Sequence, residues 1–148
     1  MRIKLIISLF LYLTTSLTNF SYANNNADAA LAEYKHAMNY LLGRKGSEKS
    51  PQKAAAIFKI LAEQNWRPAQ HMLGNLYFKG QGIEQNDLLA YKWLSIASRD
   101  NLNLAESVLK KRKQLQARLS DMHLQQVERW IENWRPKNQH HLVSANPL

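Results

Sequence analysis

Few residues of this chain have types and spacings suited to chemistry. His140-His141 could recruit a transition metal, but no third ligand stands at a fixed spacing from the pair, so the sequence predicts no metal site. Glu128 and Glu132 lie one helical turn apart, yet nothing in the sequence removes them from water, as general acid or base catalysis would require. The chain contains no cysteine, no nucleophile elbow and no phosphate-binding loop. These patterns predict a protein that is not an enzyme and holds no metal or cofactor.

The densest group of charges is a basic cluster on one predicted helix, formed by Lys110, Lys111, Arg112, Lys113 and Arg118. Leu109, Leu115 and Leu119 fall near one face of that helix, so most of the cluster is expected to point outward. One interpretation is an ordinary solvated face. The other is an electrostatic dock for anionic lipid, cell wall or an acidic protein. No aromatic residues alternate with the basic ones, which argues against a groove for single-stranded nucleic acid. We expect no nucleic-acid partner, because an exported protein would rarely meet one.

The N-terminal segment has the features of a secretory signal peptide. Arg2 and Lys4 precede an apolar run over residues 5–13, and Ser21 and Ala23 are small, as a cleavage site requires. We expect cleavage after Ala23 and a periplasmic or secreted protein, the alternative being an uncleaved N-terminal anchor. The chain has 20 Lys and Arg against 11 Asp and Glu, so losing two basic residues leaves it strongly basic. The absence of cysteine excludes disulfides and lipid attachment through an N-terminal Cys.

One pattern occurs twice in the chain. At an offset of 36 residues, the matching pairs are Gly46 and Gly82, Ser50 and Asn86, Ala54 and Ala90, Ile57 and Trp93, Leu61 and Ala97, Asn65 and Asn101, and Ala69 and Ala105. Upstream the offset becomes 37, pairing Ala37 with Gly74, Tyr40 with Tyr77, and Gly43 with Gly80. One extra loop residue in the first copy accounts for the change. Such a period predicts stacked helix pairs, each unable to bury its apolar face alone.

The second copy resembles the Sel-one-like repeat family, a relative of the tetratricopeptide arrays. The residues that carry the resemblance are Ala69, Leu73, Gly74, Tyr77, Gly80, Gly82, Asn86, Ala90, Trp93, Ala97, Asn101 and Ala105. The first copy departs further, since Ile57 stands where the family has tryptophan. The resemblance implies an all-α fold, a short α-solenoid of antiparallel helix pairs with a C-terminal capping pair. Some secreted members are credited with β-lactam hydrolysis, but they are rich in cysteine.

Helix start and stop signals divide the chain into segments. Ser50, Asn86 and Ser120 are the predicted helix caps, and Pro51 suits a first helical position. The expected order is a signal peptide at 1–23, a disordered lead at 24–28, repeats at 32–68 and 69–104, a cap at 105–135 and a flexible tail at 136–148. Predicted helices cover residues 29–42, 51–64, 69–79, 87–98, 102–119 and 121–134.

Arrays of this kind usually bind ligands on the face lined by the first helix of each pair. That expectation assigns partner contacts to His71, Asn75 and Phe78, which lie between core positions of the third helix. Trp66 stands where the repeat needs no aromatic residue, and either packing or an exposed binding anchor would explain it. Together with Lys110, Lys111 and Lys113, these residues predict binding of a protein or peptide. Two repeats also leave stacking surfaces that a second copy of the chain could cover.

Overall fold

The computed structural model describes residues 27–99 and 106–137. All regular secondary structure in these ranges is helical, which confirms the predicted all-α class. The helices are α1 over residues 27–42, α2 at Pro51–Glu63, α3 at Arg67–Lys79, α4 at Asp87–Ala97, α5 at Glu106–Arg118 and α6 at Asp121–Asn133. Within the described ranges, no helix combines the length and apolar character that crossing a membrane would need. The predicted signal peptide, Asn101, Ala105 and His140-His141 lie outside the described residues.

The chain divides into two compact units, Met1–Glu33 and Tyr34–Leu148. Of the first unit the structure describes residues 27–33, which are helical and mostly exposed. Residues 27 and 28 were assigned to the disordered lead, so α1 begins earlier than expected. The larger unit contains the rest of α1, the other five helices and all of the predicted binding residues.

Side-chain caps start three of the helices, as the sequence predicted. Ser50 Oγ accepts a hydrogen bond from the Lys53 backbone N–H (3.4 Å), and Asn86 Oδ1 accepts one from the Leu89 N–H (2.9 Å). Ser120 Oγ caps α6 in the same way (3.3 Å). Each cap satisfies a backbone donor that has no partner within its helix. Helix α3 starts differently, because Trp66 precedes it without a side-chain cap bond.

The two copies of the repeat close their loops with equivalent backbone bonds. The Ser50 N–H donates to the Tyr40 carbonyl (2.9 Å), and the Asn86 N–H donates to the Tyr77 carbonyl (3.0 Å). Gly82 allows this close turn in the second copy, since a Cβ there would lie 2.2 Å from the carbonyl carbon of Pro51. The second loop therefore rests directly on the start of α2, and only glycine fits at that contact.

The core is formed mainly by residues of α1 to α4, with fewer from α5 and α6. Its buried apolar residues are Ala37, Leu41, Ala54, Ala55, Phe58, Leu61, Ala62, Ala69, Leu73, Leu76, Tyr77, Ala90, Tyr91, Trp93, Leu94, Ile96, Val108, Leu115 and Val127. Gly74 is buried against Leu94, whose Cγ would lie 2.8 Å from an added Cβ, so a small residue is required there. Two positions of the repeat pattern, Ile57 and Ala97, are only half-buried, as is Met72. Ala97 is the last residue of α4, where packing from both sides ends.

The C-terminal helices cover the open side of the second repeat. Helix α4 packs against α3, α5 and α6. The Trp93 ring meets the rings of Trp130 and Trp134 edge to face, with centroids 6.1 and 6.2 Å away. Aromatic pairs in this arrangement stabilise a fold by more than the burial of their apolar surface alone. The predicted cap is therefore present, although Trp130 remains half-buried.

The chain returns to the first repeat after α6. The Lys137 backbone N–H donates to the Glu63 carbonyl (2.8 Å), and Lys137 Nζ lies 2.7 Å from Glu63 Oε2. Residues 136–148 were expected to form a flexible tail, and the first two of them make contacts with the fold. Pro136 is half-buried, and Lys137 is tied to the end of α2 through both backbone and side chain.

Candidate interaction surface on helices α3 and α5

Three predicted contact residues lie along one side of α3. His71, Asn75 and Phe78 were expected to face solvent on the inner face of the array, yet all three are half-buried. Side chains of α5 contact two of them, because α5 packs on α4 beside α3. The structure therefore merges two surfaces that the sequence analysis had treated as separate. We call this the α3–α5 surface, formed by His71, Asn75, Phe78, Lys79, Lys110, Lys111, Lys113 and Arg118.

A short chain of hydrogen bonds crosses the surface. Lys111 Nζ donates to Asn75 Oδ1 (2.5 Å), which orients the Asn75 amide nitrogen toward His71. That nitrogen lies 3.1 Å from His71 Nε2 and 3.0 Å from the His71 carbonyl oxygen. Because an amide nitrogen can only donate, His71 Nε2 must carry no proton. Burial and the neighbouring Lys111 ammonium both lower the pKa of His71, which agrees with a neutral ring.

Arg118 completes one end of the surface. Its guanidinium carbon lies 5.6 Å from the centre of the Phe78 ring, within the range of a cation–π interaction. Arg118 Nη1 also lies 3.6 Å from Asp87 Oδ2 on α4. The Arg118 side chain is half exposed, so this ion pair contributes little to stability. Phe78 is thus partly covered rather than free to anchor a partner.

The basic cluster divides into packed and exposed members. Arg112 lies 5.8 Å from the Tyr91 ring and 3.4 Å from Ser98 Oγ, so it faces α4. Lys111 is half-buried, and burial followed by the nearby Lys79 ammonium lowers its pKa. Lys110 and Lys113 are exposed. Three of the five members, Lys110, Lys113 and Arg118, are exposed, as expected for most of the cluster, whereas Lys111 and Arg112 are half-buried against α3 and α4.

Trp66 takes no part in this surface. It is half-buried at the start of α3, where its backbone N–H donates to the Leu61 carbonyl (2.9 Å). Among the described residues, its indole Nε1 is buried without a hydrogen-bond partner. Packing, the first of the two interpretations, describes Trp66 better than an exposed anchor does.

Two polar residues with structural roles were missed by the sequence analysis. Gln70 is fully buried, and its Nε2 donates to the Ala62 carbonyl (3.2 Å) and to Asn65 Oδ1 (3.1 Å). Lys92 extends over Trp130, with Nζ 2.9 Å from the ring centre and 5.5 Å from that of Trp93. Burial lowers the pKa of Lys92 to about 8, against the opposing effect of Glu63. The adjacent Trp93 could have suggested that Lys92 contacts an aromatic ring. No feature of the sequence indicated that Gln70 would be buried.

The chemistry available on the α3–α5 surface is non-covalent. The exposed ammonium groups can pair with carboxylates or phosphates of a partner. The half-buried side chains of Asn75 and His71 can form hydrogen bonds with the same partner. Among the described residues, no three His, Cys, Asp or Glu side chains are grouped so that they could hold a metal ion. The surface is therefore suited to recognising an anionic partner.

Comparison with known proteins points to one repeat family. Residues 30–66 and 67–102 each match the family model of the Sel1 repeat, two residues earlier than the boundaries inferred from the sequence. The chain is also similar to the crystal structure of a protective antigen present in uropathogenic Escherichia coli strains, which displays an SLR fold. That similarity has a TM-score of 0.61 and 28% identity, covering 80% of this chain and 26% of the antigen. This chain thus spans about a quarter of the antigen's length. No curated protein matches the chain.

Proposed function

Because the chain belongs to the Sel1-repeat proteins, whose repeats typically mediate protein–protein interaction, we propose that it is an exported, non-catalytic adaptor. It would bind another protein or a peptide at the cell envelope. The predicted signal peptide supports export, and the similar SLR-fold protein is a protective antigen. Either the periplasm or the extracellular space is compatible with this role.

The observation that carries the proposal is the charge on the α3–α5 surface. Lys110 and Lys113 are exposed on α5, and Lys79 is exposed at the end of α3. Within the described residues, none of the three takes part in an ion pair. Lys79 is near enough to Lys111 to lower its pKa, so the positive charges reinforce one another. An acidic segment of a partner would relieve that repulsion and pair with the lysines.

Cross-linking in envelope extracts tests the proposal. A partner cross-linked near α5 should be identified by mass spectrometry with the original chain and be lost with Lys110→Glu/Lys113→Glu. The matched control is Lys35→Glu/Lys49→Glu, which makes the same charge change at exposed lysines of the first repeat. Recovery of no partner above background, or equal recovery with both double variants, would contradict the adaptor function.

The second candidate function is docking on an anionic envelope surface. Leu109 is 44% exposed next to Lys110, so α5 presents an apolar side chain together with its ammonium groups. Such a combination binds at the boundary of anionic lipid headgroups. Co-sedimentation with anionic vesicles or cell wall that disappears at high salt, and with Lys110→Glu/Lys111→Glu, would favour this function. Binding that is insensitive to that double variant would eliminate it.

A further inference from the structure

We infer, on the basis of the proposed function, that His71, Asn75 and Lys111 make binding at the α3–α5 surface sensitive to pH. An acidic partner would bind more tightly when His71 is protonated. We call these three residues the polar triad. Hydrogen bonds join them across α3 and α5, and those bonds are compatible with a neutral His71 but not with a charged one.

Asn75 uses both ends of its side-chain amide in the polar triad. Its Oδ1 accepts a hydrogen bond from Lys111 Nζ (2.5 Å), and its Nδ2 donates to the His71 carbonyl oxygen (3.0 Å). An ammonium group can only donate and a carbonyl oxygen can only accept, so these two contacts fix the orientation of the amide. The third contact, 3.1 Å from Nδ2 to His71 Nε2, therefore requires that Nε2 accept.

A proton on His71 Nε2 is incompatible with this arrangement. A charged imidazole carries an N–H on both nitrogens, so Nε2–H would point at the N–H groups of Asn75. Turning the amide over would offer Oδ1 to His71 Nε2–H. It would also place Nδ2 against the Lys111 ammonium and Oδ1 against the His71 carbonyl oxygen. Protonation must therefore separate either the imidazole or the Lys111 ammonium from Asn75.

The electrostatics of the polar triad act in the same direction as its hydrogen bonds. Burial lowers the pKa of His71, and the Lys111 ammonium lowers it further. Burial also lowers the pKa of Lys111, followed by the effect of the Lys79 ammonium. Each cation would therefore be stabilised by moving toward water or toward an anion. His71 is neutral at pH 7.5 and takes up its proton in mildly acidic solution.

Charged groups on the elements around the polar triad act at other positions. They are Lys59 and Glu63 of α2, Asp87 and Lys92 of α4, and Arg112 and Arg118 of α5. Lys111 is the charged group that acts on His71, and Lys79 acts on Lys111. A protonated His71 therefore meets positive charge, which the carboxylates of a partner would neutralise.

Protonation of His71 would increase the positive charge that a partner meets in two ways. The imidazolium adds one charge to the surface. The cation that leaves Asn75, whether Lys111 or His71 itself, also becomes available to a carboxylate. Carboxyl groups of a partner ionise at about pH 4, so they remain charged in mildly acidic solution. Binding should therefore strengthen as the pH falls from 7.5 to 5.5.

An acidic model peptide tests this dependence in the full chain. The affinity for N-acetyl-hexaglutamate amide is measured by isothermal titration calorimetry at pH 5.5 and 7.5, at low ionic strength. The ratio of the two affinities should be roughly fivefold larger for the original chain than for His71→Gln, which keeps an acceptor beside Asn75 but cannot be protonated. His123→Gln, at an exposed position of α6, is the matched control and should retain the original ratio. Equal ratios in the original chain and His71→Gln would overturn the inference.

Nuclear magnetic resonance of the imidazole tests the polar triad without a partner. At pH 7.5, His71 should carry its proton on Nδ1 and none on Nε2. Lys111→Met should raise the pKa of His71, because a neighbouring positive charge is removed. Lys113→Met, at an exposed position of the same helix, is the control and should leave that pKa unchanged. A proton on Nε2 at pH 7.5, or an unchanged His71 pKa in Lys111→Met, would overturn the inference.

One further variant separates failure of this inference from failure of the proposed function. Lys110→Glu/Lys113→Glu should weaken binding of the glutamate peptide at both pH values. If it does so while His71→Gln has the same pH ratio as the original chain, the inference is overturned and the acidic-partner surface is retained. Absence of peptide binding at both pH values would overturn the two together. Circular dichroism at each pH confirms that the variants are folded.

Discussion

The two repeats share a backbone plan but differ in what covers them. Gly43 and Gly80 have φ values of 65° and 63°, and Gly46 and Gly82 have 73° and 74°, so the loops turn in the same way. The extra residue of the first loop adds a further positive φ at Lys45 (54°). Loop geometry is therefore preserved even though one loop is longer.

The side chains at the aromatic position of the repeat account for the difference in packing. In the second repeat, Trp93 is buried and its ring contacts Trp130 and Trp134 of the capping segment. In the first repeat, the equivalent Ile57 is half-buried, and Ile60 on the same helix is 57% exposed. The comparison teaches that a shared backbone fixes the helix pair, whereas a large aromatic side chain determines where a further helix packs.

The largest effect that would test this comparison is expected at Trp93. Trp93→Ala should lower the free energy of unfolding by about 3–5 kcal/mol, because it removes a buried ring and its contacts with the cap. Ile57→Ala is the matched change in the first repeat and should cost about 2 kcal/mol or less, since Ile57 is only half-buried. Urea denaturation followed by circular dichroism measures both. Equal losses would show that the cap does not depend on the aromatic position.

The glycines of the two loops provide a second matched pair. Gly82→Ala should cost about 3 kcal/mol, combining the strain of a positive φ with overlap on the backbone of Pro51. Gly46→Ala should cost about 1 kcal/mol, because nothing lies within 4 Å of the added Cβ and only the strain remains. Thermal unfolding of the two variants side by side would detect this difference. If the two variants had equal melting temperatures, the contact between the second loop and α2 would not contribute to stability.

A pH-dependent difference is expected because Lys92 has no counterpart in the first repeat, where Ala56 occupies the equivalent position. Its folded-state pKa of about 8 lies below that of an unfolded lysine, about 10.4. The unfolded state therefore binds more protons between these values, and stability should rise with pH by about 1 kcal/mol per unit near pH 9.

Lys92→Met isolates this contribution. We compare the unfolding free energies of the original chain and the variant from pH 8 to 9.5. Both chains contain Lys111, whose pKa is also lowered, so its effect cancels in the difference. Burial raises the pKa of Tyr34 and of Tyr77, and the same difference also removes their effect, because both chains contain these tyrosines. A difference that does not change with pH would contradict the assigned burial of Lys92.

The smallest effects are expected at the helix caps. Asn86→Ala should cost about 1 kcal/mol, as a well-formed cap bond of 2.9 Å is lost. Ser50→Ala should cost about 0.5 kcal/mol, because its bond is longer at 3.4 Å and Pro51 already favours the helix start. Chemical denaturation resolves both, and a larger loss at Ser50 would reverse the ranking of the two caps.

Local signals in the sequence were enough to predict the described helices and most of their ends, although α1 and α3 each begin two residues earlier than expected. Ser50 and Asn86 cap helices because their side chains reach the first unpaired N–H groups, and Gly80 adopts the left-handed conformation that ends α3. These interactions depend on residues three or four positions apart. The repeat offset then identified which helices form equivalent pairs.

The placement of α5 could not be predicted in the same way. Helical periodicity shows which side of α5 is apolar but not which neighbour it will contact, so Lys111 was expected in solvent rather than bonded to Asn75. Buried Gln70 donates to the Ala62 carbonyl, which also accepts the Asn65 N–H where α2 ends, and this detail of backbone geometry is not visible in the sequence.

The contact between Lys137 and Glu63 has a consequence for how the molecule unfolds. Linear repeat arrays fray from their ends, since each unit contacts only its neighbours. Here two residues separated by 74 positions hold the last described segment against the first repeat. Local opening at the C-terminal end must therefore break these bonds to the end of α2, and we expect the Lys137 amide proton to exchange more slowly than that of an untethered chain end.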